Sequence, residues 1–447
     1  MTTDIIKNGA VGDGVTLCTV AIQSAIEAAN RAGGGRVLIP AGRYLIGSIR
    51  LLGGVELHLE HGAHLLGSTR HEDYPGLPLH STRSNYDDER GFPFFSLVWA
   101  HRADNIALTG TGTIDGQGDS QKPRNEATWN FNGRPQGIMF VGCRGVVMTD
   151  LRLRDSGMWM IHLFDCEDVK IRGLDIYNHV KVNNDGIDID CCRRVVVSDC
   201  LIDSDDDAMC LKSSGDLICE DVSITNCVLS SRCNAIKLGT DSVAGFRNIS
   251  VSHCVVTPSR ASHLQPKIDK MRDCFAAISL CCVDGGVMES VHLSDILIRG
   301  TLSPIYIRLA TRNKRPVSAA PAVPNKTGTR NIVLENITAV DGGAYGSAIT
   351  GVPGLPIKGI TLRNIDLTGP GGISDGGFET EPNMPAEGYP QGGWFAMPAS
   401  GLYLRHAEQI RLENVRFTTE TPDARPPLVC VDVKDLKTAS NLGQPTL

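Results

Sequence analysis

One pattern of hydrophobic and polar positions recurs along this chain. Eight residues reading apolar-x-apolar-x-polar-apolar-x-apolar start at Val146 (VVMTDLRL), Val169 (VKIRGLDI), Val195 (VVVSDCLI), Val222 (VSITNCVL) and Ile249 (ISVSHCVV). Further copies start at Val291 (VHLSDILI), Ile332 (IVLENITA), Ile360 (ITLRNIDL) and Ile410 (IRLENVRF). Successive starts lie 23, 26, 27, 27, 42, 41, 28 and 50 residues apart. Alternation of this kind marks strands, and its repetition at a near-constant period marks a solenoid. The short intervals fit one coil each, and the long ones fit coils carrying inserted loops. The expected fold is all-β: a right-handed parallel β-helix forming a single domain over 1–447. Its loop insertions fall near 70–95, 115–135, 312–328 and 369–400.

The columns of the repeat carry physical meaning. The fifth position reads Asp150, Gly173, Asp199, Asn226, His253, Asp295, Asn336, Asn364 and Asn414. Small polar residues there suit a bend between strands. The sixth position reads Leu151, Leu174, Cys200, Cys227, Cys254, Ile296, Ile337, Ile365 and Val415, an interior stack in which the three cysteines act as small hydrophobes. A second ladder lies between the copies: MIHLFDC (160–166), GIDIDCC (186–192), AMCLKSS (208–214), NAIKLGT (234–240), AAISLCC (276–282), IYIRLAT (305–311) and GLYLRHA (401–407). Alternation turns Ile187, Ile189, Met209, Leu211, Ile236, Leu238, Ile278 and Leu280 inward. Asp188, Asp190, Lys212, Lys237, Ser279, Tyr306, Arg308, Tyr403 and Arg405 then face outward, as a sugar-binding groove or a solvated face.

Residues from Thr19 to Ala32 place Ile22, Ala25, Ile26 and Ala29 at helical spacing before three glycines, which predicts an amphipathic helix capping the open end of the solenoid. Forty-eight glycines and 5% aromatics among 447 residues suit short strands and tight turns. A net charge of −7 argues against nucleic acid or an anionic membrane as partner, and no apolar stretch is long enough to span a bilayer. The start, Met1-Thr2-Thr3-Asp4, lacks the features of a secretory signal. The chain as given thus reads as cytoplasmic, or as secreted or periplasmic if a signal was removed. The fifteen cysteines read as buried thiols rather than a disulfide framework.

Two acidic clusters lie before inward-facing strands on successive coils: Asn183-Asn184-Asp185-Gly186-Ile187-Asp188-Ile189-Asp190 and Ser204-Asp205-Asp206-Asp207-Ala208. One coil of displacement would stack Asp185 and Asp206 about 5 Å apart. Crowded carboxylates raise at least one pKa, and a protonated acid beside an ionised one suits glycosidic cleavage. Calcium binding and ordinary polar turns are the other readings of such clusters.

Asn183-Asn184-Asp185-Gly186 followed by Asp206-Asp207 resembles the paired signatures of polygalacturonase-type glycoside hydrolases, family 28. The family's Asn-x-Asp-Gly motif matches the first cluster and its Asp-Asp motif the second. Gly9-Ala10-Val11-Gly12-Asp13-Gly14, the helix, and Gly33-Gly34-Gly35-Arg36-Val37 are similar to the opening segment shared by pectin-degrading β-helix proteins. The resemblance implies Asp206 as general acid, with Asp185 and Asp207 holding and deprotonating the attacking water. It also implies inversion at the anomeric carbon, whereas one-rung stacking of the carboxylates suggests a separation nearer the retaining value.

The chain departs from the family at two elements. Where the family has Gly-His-Gly, this chain has Cys233-Asn234-Ala235, so Asn234 stands where a histidine is expected. Where the family has Arg-Ile-Lys, it has Ala277-Ile278-Ser279-Leu280, and Arg308 arrives one coil later. Galacturonate specificity therefore does not follow. The candidate substrate-binding residues are Asn183, Asp188, His162, Lys212, Asn234, Lys237, Tyr306, Arg308 and Arg405. His179 reads as a loop residue, and Trp129 and Trp159 as structural. Tyr403, Arg405 and His406 reach the groove if the 369–400 insertion, with Tyr389, Trp394 and Phe395, folds over it.

The expected function is hydrolysis of α-linked pectin-type oligosaccharides containing galacturonate or rhamnose, exo-acting if the insertions close one end of the groove. No cofactor or metal is expected. The partner is an oligosaccharide or polysaccharide, and the oligomeric state is open. The alternatives are a polysaccharide lyase on the same fold, using calcium and an Arg or Lys base, and a carbohydrate-binding protein without turnover.

Overall fold

The computed structural model describes residues 2–77, 94–121, 133–261, 274–313, 327–388 and 396–439. Parts of the four expected insertions, together with Trp129, Tyr389, Trp394 and Phe395, lie outside the described residues. The chain divides at the Asp206–Asp207 bond into two compact units.

The first unit opens with the helix Thr19–Arg31, whose buried residues are Ile22, Ala25, Ile26 and Ala29. Its polar side chains serve the backbone of the first coil. Gln23 accepts from Arg50 N at 2.8 Å, Asn30 donates to Gly53 O at 2.9 Å, and Thr19 Oγ1 accepts from Gly47 N at 2.8 Å. Strand-edge groups that would otherwise lack partners are thereby satisfied.

After the helix, parallel strands stack in three ladders. One aligns Val98, Ile138, Ile161 and Ile187. A second aligns Ile106, Val146, Val169 and Val195. The third aligns Ile114, Leu153, Ile176 and Ile202. The eight-residue pattern is thus two strands joined at a bend rather than one strand.

In the second unit the strands from Gly245–Val256 onward run unbroken through the bend. Val222, Ile249, Val291, Ile332, Ile360 and Ile410 are successive register partners. The other ladder aligns Met209, Ile236, Ile278 and Ile305, then continues through Ser347–Thr350 and the strand beginning at Leu402.

The bend is set by backbone conformation. Every residue in the fifth column has a positive φ, from 52° at Asn414 to 67° at Gly173. Glycine adopts this region freely, and Asn and Asp tolerate it better than other residues. In the second unit the bend residues also bond to one another. Asn336 donates to Asp295 (3.0 Å), Asn364 to Asn336 (3.0 Å) and Asn414 to Asn364 (2.9 Å).

In the sixth column Cys200, Cys227 and Cys254 are buried, and each thiol donates to the carbonyl two residues back. Fourteen of the fifteen cysteines are buried thiols, and Cys430 is exposed. The hydrogen bond with Cys227 and burial push the Cys254 thiol well above its ordinary range, where it is inert. The strand pairing within each unit is that of a right-handed parallel β-helix.

Candidate active site

The loop Lys181–Gly186 in the first unit is fixed by amide side chains. Asn184 Nδ2 donates to Ser156 O (2.9 Å) and Met158 O (2.8 Å), while its Oδ1 accepts from Lys181 N. Asn178 Nδ2 donates to Asp185 O at 3.0 Å, and Met160 N donates to the same carbonyl. These are the partners that buried polar groups require, and they leave the loop one backbone path. Asp206 reaches this loop twice. Its N–H donates to Asn184 O at 3.3 Å, and its Oδ2 accepts from Asn183 Nδ2 at 3.3 Å. Asp206 is thus brought to the loop that carries Asp185. Asp185 is buried, whereas Asp206 is half-exposed.

Arg134 was not foreseen. It is buried, donates to Gly157 O (3.2 Å), Val182 O and Asn183 Oδ1 (3.1 Å), and lies within electrostatic reach of Asp185 and Asp206. Burial pulls its pKa down to about 10, against the opposing pull of the two carboxylates. It stands 49 residues before Asn183, so no local spacing links them.

His179 was read as a loop residue, yet it is buried between two acids. Nε2 lies 2.8 Å from Asp203 and Nδ1 3.7 Å from Asp205. Burial opposes its charge, but the hydrogen bonds to Asp203 and Asp205 outweigh burial and raise its pKa. The turn that presents Asp206 therefore has an imidazole beneath it.

In the second unit Asp207 is buried and bound on both oxygens. Asn234 Nδ2 reaches Oδ1 at 2.7 Å and Lys237 Nζ reaches Oδ2 at 2.7 Å. Burial works against the charge, but Lys237, then Lys212, and the bonds from Lys237 and Asn234 hold this carboxyl below the usual range. Among the described residues Asn234 Oδ1 has no hydrogen-bond partner.

The outward set required a correction. Alternation is as expected, with Ile187, Ile189, Met209, Leu211, Ile236, Leu238, Ile278 and Leu280 in the core. The opposite face is covered as well: Asp188, Asp190, Lys212, Lys237, Ser279, Tyr306, Arg308 and Tyr403 are all buried. His162 is buried edge-on to Trp159 at 4.8 Å and lies 3.5 Å from Asp190, and its register partner is Asp188.

Further along the second unit, segment 382–386 packs on this face. Arg308 donates to Met384 O (3.3 Å) and Pro385 O (2.9 Å), and Arg405 to Pro382 O (2.9 Å). Thr311 N–H and hydroxyl both donate to Ala386 O. Met384 and Ala386 rest on an apolar cluster that includes Phe275, Tyr306 and Tyr403. Charges on this face are stable because they are paired or bound to carbonyls, which alternation alone does not reveal. His406 turns aside to Asp432 at 2.8 Å. Among the described residues no helix is long and apolar enough to cross a membrane.

A probable polygalacturonase of Vitis vinifera is 33% identical over 218 residues, 47% of this chain and 44% of that protein. The chain therefore matches less than half the length of this curated relative. The exopolygalacturonase structure from Yersinia enterocolitica superposes with a TM-score of 0.72 at 18% identity, covering 100% of this chain and 79% of that one. The hyperthermoactive exopolygalacturonase of Thermotoga maritima gives 0.62 at 23% identity, covering 83% and 87%. The model of glycosyl hydrolases family 28 matches residues 34–381, and the chain belongs to that family.

Proposed function

We propose that this protein hydrolyses α-linked pectin-type saccharides by single displacement, with inversion. Asp206 protonates the glycosidic oxygen as the C–O bond breaks. Asp185 and Asp207 orient the attacking water and take its proton, so that one water is consumed and two hydroxyl-terminated sugars form. The observation that carries this reading is the contrast between consecutive acids. Asp207 is buried and held ionised by Lys237 and Asn234, whereas Asp206 is half-exposed. Family membership and the curated relatives point to pectic substrates. Asn234, in the place of the family histidine, turns an unpartnered carbonyl oxygen that suits a sugar hydroxyl.

The reaction is exo-acting in this proposal. Segment 382–386, stapled by Arg308, Arg405 and Thr311, covers the polar face in the second unit, where a continuing polysaccharide would otherwise run. Asn183, Asp188, His162, Lys212, Lys237 and Tyr306 remain proposed sugar contacts or their immediate supports. A lyase is disfavoured by Lys237, because an ammonium paired with Asp207 is a poor proton acceptor. The test is incubation with pectic oligosaccharides and aryl α-glycosides, followed by mass spectrometry, with Asp206→Asn in parallel. Products gaining 18 mass units, absent from the variant, are expected. An unsaturated product would move the protein to the lyases, and binding without turnover would leave a carbohydrate-binding protein.

A further inference from the structure

We infer that Asn178 is a positioning residue that holds Asp185 and the turn carrying Asp206 to one reference, its side chain serving the first and its backbone the second. The inference rests on the proposed roles of Asp185 and Asp206. Asn178 closes the strand Asp175–Asn178, and its register partner on the next coil is Ser204. It is fully buried. Its amide can stand only one way round. A backbone N–H donates and never accepts, so the atom that meets Ser156 N at 2.9 Å is the carbonyl oxygen Oδ1. Nδ2 then donates to Asp185 O at 3.0 Å, with Ser156 Oγ at 3.0 Å and Met158 O at 3.2 Å beside it. The backbone carbonyl of the same residue accepts from Asp205 N at 2.9 Å, directly before Asp206.

The two acids sit on irregular backbone, whereas Asn178 sits on a strand paired with Arg152–Arg154 on one side and Leu201–Ser204 on the other. Groups carried by strands place a site with less play than groups carried by loops. Asp185 O also accepts from Met160 N, so the peptide that follows Asp185 is held by two donors. Fixing that peptide fixes where the Asp185 side chain starts, which is what holding a water for attack requires. Truncating Asn178 removes its hold on Asp185 but leaves its backbone bond to Asp205 in place. Its side chain therefore serves the attacking water, and not the acid.

The experiment measures kcat and KM of wild type, Asn178→Ala and Asp206→Asn on trigalacturonate and on dinitrophenyl α-galacturonide, with folding checked by circular dichroism. A dinitrophenolate leaves without being protonated, so the second substrate dispenses with the general acid but not with the water. Asn178→Ala is expected to lose about 10- to 100-fold in kcat on both substrates alike, with KM changed less than about threefold, the scale of a misplaced reacting group. Asp206→Asn should lose far more on trigalacturonate than on the aryl substrate. A loss in Asn178→Ala confined to trigalacturonate, or a kcat within about threefold of wild type in the folded variant, would overturn the inference. If Asn178→Ala does not fold, Asn178→Ser decides by the same comparison, since its hydroxyl stays polar but is one bond too short to reach Asp185 O. Full activity of Asp206→Asn on trigalacturonate would instead sink the assignment of the acid, an outcome separable from failure of Asn178 alone.

Discussion

Removing the ammonium from the Asp207–Lys237 pair should be among the most costly single changes in the second unit. Both groups are buried, and Nζ lies 2.7 Å from Oδ2. At an effective dielectric constant of about 20 the Coulomb attraction at this distance is roughly 6 kcal/mol, most of it offset by desolvation of the two ions. Lys237→Met keeps the stem and deletes the charge, leaving a buried carboxylate. Breaking a buried pair on one side costs about 3–5 kcal/mol. The lower end, about 3 kcal/mol, is expected here because Asn234 and Lys212 still act on Asp207.

The pH dependence has a defined sign. Asp207 has a depressed folded pKa, so it contributes stability above its unfolded value near 3.9, lost as pH falls through the folded value. Without Lys237 that carboxyl rises and takes up a proton sooner. The deficit of the variant should thus be full at pH 7 and shrink on acidification toward pH 4. Urea unfolding of wild type, Lys237→Met, Asp207→Asn and the double variant gives the coupling energy directly. A favourable coupling of at least about 2 kcal/mol at pH 7 is expected, since the double variant buries no unpaired charge. A coupling under about 0.5 kcal/mol, the size of an exposed pair, would refute the reasoning.

Other expectations concern separate parts of the molecule. Arg308→Ala removes the donor to Met384 O and Pro385 O, so the segment 382–386 should loosen; chromatography of products from a pectic polymer should then show internal cuts beside terminal ones, and an unchanged product pattern would count against the strap. For His179→Gln the cost in stability should be largest at acid pH. The raised folded pKa of His179 gives a contribution fully present below about 6.5 and lost as pH rises through the folded value, so thermal melts of the two proteins should converge on the alkaline side. Asn336→Ala should lose more stability than Asn336→Gly, by about 1 kcal/mol in denaturant unfolding, because alanine pays for the left-handed backbone at φ 55° and glycine does not.

Much of the architecture was legible because it rests on periodicity. The register partners from Val222 to Ile410 fall at the starts of the repeats, and the fifth-column residues occupy the left-handed bend that their small polar side chains suggested. The helix matched in span and buried face, since four apolar residues at helical spacing leave little choice.

The earliest coils escaped notice. There Ile106, Leu108 and Ile114 keep the apolar positions, but Gly110 and Gly112 break the pattern where Cβ atoms would strike Leu59. Ser347–Thr350 was missed because Ile349 is its one strongly apolar residue, too little to show alternation. In the site, Asn183, Asp185 and Asp206 were singled out through their motifs, and Asp206 bonds to the loop that carries the other two. Arg134 was not, because a contact across 49 residues and one peptide carbonyl leaves no local trace. The burial of Lys212, Lys237 and Arg308 was also hidden, since the groups that neutralise them come from other coils and from an insertion.

The central claim is that Asp206 protonates the leaving oxygen while water attacks the opposite face. Hydrolysis of a reduced-end-labelled galacturonate oligosaccharide, followed by proton NMR in the first minutes, reads the anomer formed and the hydrolytic bond together. The account predicts β-configured product from the α-linked substrate with wild type, and none above background with Asp206→Asn. Initial α-product would replace single displacement by a covalent route, and wild-type turnover in the variant would remove Asp206 from the chemistry.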